Sequence, residues 1–188
     1  MFLRKTAGGR DPLPITMSGV RMGERVLQIG VDDAAVAGAL AAKVGLSGHA
    51  AMAVADREAA QKAQAGAVEA ATLMDVQVTP LDALPYTDHA FDLVVINSTG
   101  GLLTSLDAAT RAAALRECHR VLRSGGRVIA IEGGQRSGLA ALLRPAPKPD
   151  PAYGASGGTV AALEAAGFRP VRLLADREGY LFTEGLRT

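Results

Sequence analysis

The run Phe91-Asp-Leu-Val-Val-Ile96 constrains the fold more than any other stretch of this sequence. Apart from Asp92 it is continuously apolar, and a short apolar run of this kind reads as a strand covered on both faces. Such a strand needs layers above and below it, and the flanking pattern supplies helices. Upstream, Arg25–Ile29 is a second short apolar strand ending at Gly30. Asp32 and Asp33 then precede Ala34–Lys43, an alanine-rich helix with an aspartate as its N-cap. Ala50–Ala55 reads as the next strand. Asp56-Arg-Glu58 opens a helix running to about Ala65, with Asp56 as its cap, and Leu73–Val78 reads as a third strand. Downstream, residues 106–122 form a helix with Leu115, Cys118, Val121 and Leu122 on one face. Ser124-Gly-Gly126 stops it, and Arg127–Ile131 is the fifth strand. Thr159–Ala166 is a last helix closed by Gly167. Val171–Ala175 and Tyr180–Thr183 pair as a hairpin around Arg177-Glu-Gly179.

Strands alternating with helices give an α/β domain with a mostly parallel, doubly wound sheet. Right-handed crossovers place a ligand at the carboxyl ends of its first strands. Residues 1–24, with Pro12 and Pro14 among several glycines, read as an irregular lead-in, and residues 25–188 as a single domain. Between 133 and 158 glycine, proline and serine dominate, the composition of a loop or lid. Within it, Leu139–Leu143, flanked by Arg136 and Arg144, reads as a short packed helix or as a contact for a lipid-like substrate or partner. Tyr153 either anchors this loop or closes over a ligand.

Composition excludes several classes. The chain has 188 residues, 48% of them apolar, which suits one globular core rather than disorder. A formal net charge of +1 supplies no field for nucleic acid or an anionic membrane. One cysteine rules out an internal disulfide framework, and His49, His89 and His119 share no metal-ligand spacing. Cys118 reads as a small core residue. The stretch MFLRKTAGGR lacks the apolar core of a secretory signal and no run is long enough to span a membrane, so a cytoplasmic location is expected.

Residues 23–30, 84–95, 115–132 and 164–174 together resemble the class I S-adenosylmethionine (SAM) methyltransferases, especially the small-molecule group that includes ubiquinone-biosynthesis enzymes. Residues 23–30 (GERVLQIG) are similar to that family's first strand, and 84–95 (LPYTDHAFDLVV) to its passage into the fourth. Residues 115–132 (LRECHRVLRSGGRVIAIE) resemble its helix, glycine pair and fifth strand, and 164–174 (EAAGFRPVRLL) its final helix and strand. The resemblance implies a Rossmann-like sheet of seven strands in the order 3-2-1-4-5-7-6, the last antiparallel.

The resemblance also implies a cofactor site, which these residues match poorly. A SAM site uses a glycine-rich turn after the first strand, an acid at the end of the second for the ribose hydroxyls, and usually an acid after the third for the adenine amine. Here the turn reads Gly30-Val31-Asp32-Asp33-Ala34, which keeps only the first glycine. Gln28 stands where the first strand often ends in an acid. Glu58 and Lys62 set the register of the second strand so that the ribose position falls on Val54, followed by Ala55. Asp56 serves instead only with a local shift. Counting back from Pro85 puts the adenine position on Pro80, followed by Leu81, with Asp82 near enough to substitute. Asn97 and Ser98 follow the fourth strand, as substrate-facing residues or as a turn that caps it.

Asp32 and Asp33 could cap the helix and oppose the carboxylate of SAM's methionine moiety. Two functions follow as expectations. One is a non-catalytic or SAM-independent member that serves as a subunit, a scaffold or a binder of another ligand. The other is an active small-molecule methyltransferase that uses Asp32, Asp56 and Asp82. A nicotinamide-dependent oxidoreductase is disfavoured by the missing G-x-G-x-x-G turn. The short lead-in leaves a crevice open to a protein partner or a second copy. The partners expected are therefore a small molecule or a protein, with no nucleic acid.

Overall fold

The computed structural model describes residues 12–133 and 151–188. Seven strands form one sheet in the order β3-β2-β1-β4-β5-β7-β6. The strands are β1 (Arg25–Ile29), β2 (His49–Val54), β3 (Asp75–Val78), β4 (Phe91–Ser98), β5 (Leu122–Gly133), β6 (Val171–Arg177) and β7 (Tyr180–Leu186). Strands β3, β2, β1, β4 and β5 run parallel, and β7 is antiparallel to both β5 and β6. This is the sheet that the resemblance implies.

The helices are α1 (Leu13–Met17), α2 (Ala34–Val44), α3 (Arg57–Glu69), α4 (Leu102–Ser105), α5 (Ala108–Val121), α6 (Pro151–Ala155) and α7 (Gly158–Ala165). Each face of the sheet buries its own core. One packs Leu27, Ile29, Val94 and Ile96 against Leu115, Val121, Leu163 and Phe168. The other packs Val26, Leu93, Val95 and Ile129 against Ile15, Leu40, Val44 and Phe182. The alternation along each central strand divides its side chains between the two.

Small residues bring α2 and α3 together. A Cβ on Gly38 would lie 2.1 Å from the Gly66 carbonyl oxygen, and one on Gly66 would lie 2.0 Å from that of Ala34. The two helices therefore touch backbone to backbone. Beneath them Ala37, Met52, Val54, Ala60 and Ala63 form a third apolar cluster.

Three expectations need correction. The lead-in is not wholly irregular, since Pro14 and Ile15 of α1 are buried. Proline at the start of a helix lacks only a donor that would be unused there. Ser124-Gly-Gly126 does not separate helix from strand, because α5 ends at Val121 and β5 begins at Leu122. The glycines form a bulge instead: Phe91 lies opposite Leu122, and Leu93 opposite Arg127. Gly125 takes a positive φ, and its N–H donates to the Arg187 carbonyl at 2.7 Å. Finally, the loop expected over 133–158 includes α6. Leu139–Leu143, Arg136 and Arg144 lie outside the described residues.

Candidate functional site

The topology gathers the sequence-derived positions at the carboxyl ends of β1 to β4. The Gly30 N–H donates to Ala53 O at 2.9 Å and the Thr79 N–H to Val54 O at 2.9 Å, so the ends of β1, β2 and β3 stand level. Around this rim lie the Gly30–Asp32 turn, Val54–Asp56, Pro80–Asp82 and Asn97–Ser98.

Gly30 has φ 75°, a conformation that favours glycine. Its exposed side is covered, since a Cβ there would lie 2.7 Å from Leu102 Cδ2. The turn is braced from below by a buried amide pair. Asn97 Nδ2 donates to Gly30 O at 3.0 Å and to Gln28 Oε1 at 3.3 Å, and Gln28 Nε2 donates to Ala37 O at 2.9 Å. Asn97 thus lies inside β4, not in a turn after it, and braces the Gly30 turn. Ser98 Oγ likewise accepts the Leu103 N–H at 2.9 Å and fixes the start of α4.

The two adjacent aspartates divide the work assigned to them. Asp33 caps α2, its Oδ1 accepting from Ala35 N at 2.8 Å and Val36 N at 3.3 Å. Asp32 is no cap. Its Oδ2 reaches across the rim to Gly100 N at 2.6 Å and Thr99 Oγ1 at 2.9 Å. Its carbonyl accepts from Lys62 Nζ of α3 at 2.5 Å. Side chain and main chain of one residue thereby tie together the loops after β1 and β4 and helix α3.

At the end of β2, Val54 is fully buried beneath α2 and α3. Asp56 is exposed, and its Oδ1 caps α3 through Ala59 N at 2.8 Å. Val31 is half-buried and Ala55 exposed. Pro80 and Asp82 are exposed, whereas Leu81 packs into the core.

Beyond β4 lies a group that sequence reasoning missed. Glu132, beside Ser98 in the sheet, accepts from Thr159 Oγ1 at 2.5 Å, and Thr159 Oγ1 meets Tyr153 Oη at 2.6 Å. Burial raises the Glu132 carboxyl above the ordinary range, although the Thr159 hydroxyl works against this. Burial likewise pushes the Tyr153 phenol up to about 12. The Arg111 guanidinium lies 4.1 Å from the centre of the Tyr153 ring. Tyr153 thus anchors α6, the first of the two roles set out for it. The glutamate that directly follows the apolar run Val128–Ile131 was the available signal. Cys118 is buried as expected, its thiol pushed up to about 12 by burial. Among the described residues, no cluster of histidine, cysteine and carboxylate side chains could hold a metal. None of the helices there is long and apolar enough to cross a membrane.

A family model described as a methyltransferase domain matches residues 27–130. The chain belongs to the methyltransferase domain family. Over 62 residues this family member is 37% identical to the ubiquinone/menaquinone biosynthesis C-methyltransferase of Geotalea uraniireducens. That stretch is 33% of this chain and 24% of that enzyme. A SAM-dependent methyltransferase from Aquifex aeolicus superposes with a TM-score of 0.69 at 17% identity, covering 93% of this chain and 87% of that one. An arsenic(III) SAM methyltransferase from Chlamydomonas reinhardtii superposes with a TM-score of 0.63 at 19% identity, covering 94% and 70%. At these identities the superpositions establish the methyltransferase fold.

Proposed function

We propose that this methyltransferase-family protein does not use its crevice for ordinary SAM-dependent catalysis, and that it acts as a subunit, a scaffold or a binder of another small molecule. The observation that carries this reading is the end of β2. The register derived from the sequence assigns the ribose contact to Val54, which is sealed in an apolar cluster. The nearest carboxylate along the chain, Asp56, is engaged in capping α3. Asp82, the substitute for the adenine contact, stands exposed on its turn.

A hydrogen bond to a charged group contributes roughly 1.5–3 kcal/mol. Two such losses, which add imperfectly, come to about 3–5 kcal/mol, enough to turn a micromolar ligand into one of roughly millimolar affinity. SAM is then a cofactor by kinship only. Isothermal titration calorimetry with SAM and with S-adenosylhomocysteine tests the reading. No heat of binding is expected at micromolar ligand, and clear micromolar affinity for either compound would overturn it.

A further inference from the structure

We infer that Asp32 is an autoinhibitory latch that holds the loop after β4 shut over the Gly30 turn and so keeps ligands out of the crevice. The inference rests on the reading above, and it names what governs access to that same site. Three observations meet at this residue. The Asp32 carboxylate takes the Gly100 N–H at 2.6 Å and the Thr99 hydroxyl at 2.9 Å, across 68 and 67 residues of chain. These are charge-assisted bonds, the stronger class. Lys62 Nζ holds the Asp32 carbonyl at 2.5 Å, so the residue is fixed from its main-chain side as well.

The surfaces around the bond are fitted to the closed arrangement. Leu102, two residues beyond Gly100, sits over Gly30, the one glycine of the turn where a ligand would need close backbone approach. Gly100 has no room for a side chain while the bond exists, since its Cβ would stand 2.4 Å from Asp32 Oδ1. An apolar cover and a charged tether thus close the same gap.

A ligand entering here first has to open the latch, and its apparent affinity is reduced by the fraction of molecules that are open. Weakening the tether should lift that penalty. Thr99→Val removes one donor and leaves the Asp32 charge in place. Gly100→Ala leaves both donors and pushes the carboxylate away sterically. Asp32→Ala removes the tether and the charge together. S-adenosylhomocysteine is the probe, titrated into each full-length protein by calorimetry. Amide hydrogen exchange over residues 98–103 reports opening directly.

We expect faster exchange in that segment for all three variants, and affinity tightened about tenfold in Asp32→Ala. A smaller gain in the same direction is expected for Thr99→Val and Gly100→Ala. Unchanged exchange in all three would overturn the latch. Faster exchange with unchanged affinity would overturn its inhibitory role. Gain in Asp32→Ala alone, without gain in the two variants that keep the charge, would reassign the effect to repulsion and overturn it too. The comparison is a ratio of variant to wild type. It therefore fails or succeeds separately from the earlier reading, which depends on the absolute affinity of the wild type.

Discussion

Replacing Gly38 by alanine sets two well-characterised effects against each other, and the structure says which one wins. Gly38 lies inside α2, where alanine is the better helix former by about 0.8–1.0 kcal/mol. Propensity alone therefore predicts a more stable protein. The added Cβ, however, would stand 2.1 Å from Gly66 O, 2.6 Å from Gly66 C and 3.0 Å from the Ala70 Cβ. The first two obstacles are backbone, which no rotamer change can move. Relief requires α2 and α3 to part, which loosens the cluster of Ala37, Val54, Ala60 and Ala63 beneath them.

Overpacking typically costs about 1–3 kcal/mol, and a backbone clash belongs at the upper end. After subtracting the propensity gain, the net loss is about 2 kcal/mol. For a domain of this size that corresponds to a fall in melting temperature of roughly 4–8 °C. Urea unfolding followed by circular dichroism measures it. Gly66→Ala should behave alike. Gly154→Ala supplies the control, because nothing lies within 4 Å of its added Cβ. There the stiffer unfolded chain should stabilise by about 0.4–1 kcal/mol. A Gly38→Ala protein as stable as the wild type would refute the close-contact argument.

Removing the cap of α3 with Asp56→Ala should cost about 1 kcal/mol in urea unfolding and leave S-adenosylhomocysteine binding as it was, which separates capping from cofactor contact. Val54→Asp places a carboxylate in a fully apolar cluster and should lower the melting temperature sharply, about as an unpaired buried charge does; a fully stable variant that gains S-adenosylhomocysteine binding would show that the site can be rebuilt at this position. Glu132 has a raised carboxyl pKa in the folded protein, chiefly through burial, so the native state holds its proton longer than the unfolded chain. Its contribution is therefore present at low pH and lost as pH rises through the folded value. Glu132→Gln should accordingly gain stability over wild type at about pH 7 and not at about pH 4, read as the difference in urea midpoint; an equal difference at both would remove the argument.

Local signals carried most of the fold. The mainly apolar runs of β1, β2 and β4 and the aspartates before α2 and α3 each announce their element within a few residues, and Asp33 and Asp56 cap as their positions imply. Elements were misjudged where tertiary contact overrides composition. Ser124-Gly-Gly126 looks like a stop, but the neighbouring strand accommodates it as a bulge. Pro14 and Ile15 look like part of an irregular lead-in until α2 gives them something to cover.

The site was harder to read because its decisive contacts are long-range. Nothing in the run Gly30–Ala34 says that Asp32 faces Thr99 and Gly100 while Asp33, its neighbour, faces the helix. Only the approach of two strand ends determines that. Asn97 shows the same limit. Its position at a strand end fits a surface role, and only the partner amide of Gln28, on the adjacent strand, turns it inward.

The order of the last two strands bears on how the chain is made. Strand β6 precedes β7 in sequence but lies outside it, attached to the sheet only through it. A ribosome therefore delivers the outer plank before the one to which it must be nailed. Until Tyr180–Leu186 has emerged, the flank of β5 stands bare, a strand edge open to any other nascent polypeptide. Assembly of this half of the sheet has to wait for the hairpin to arrive whole.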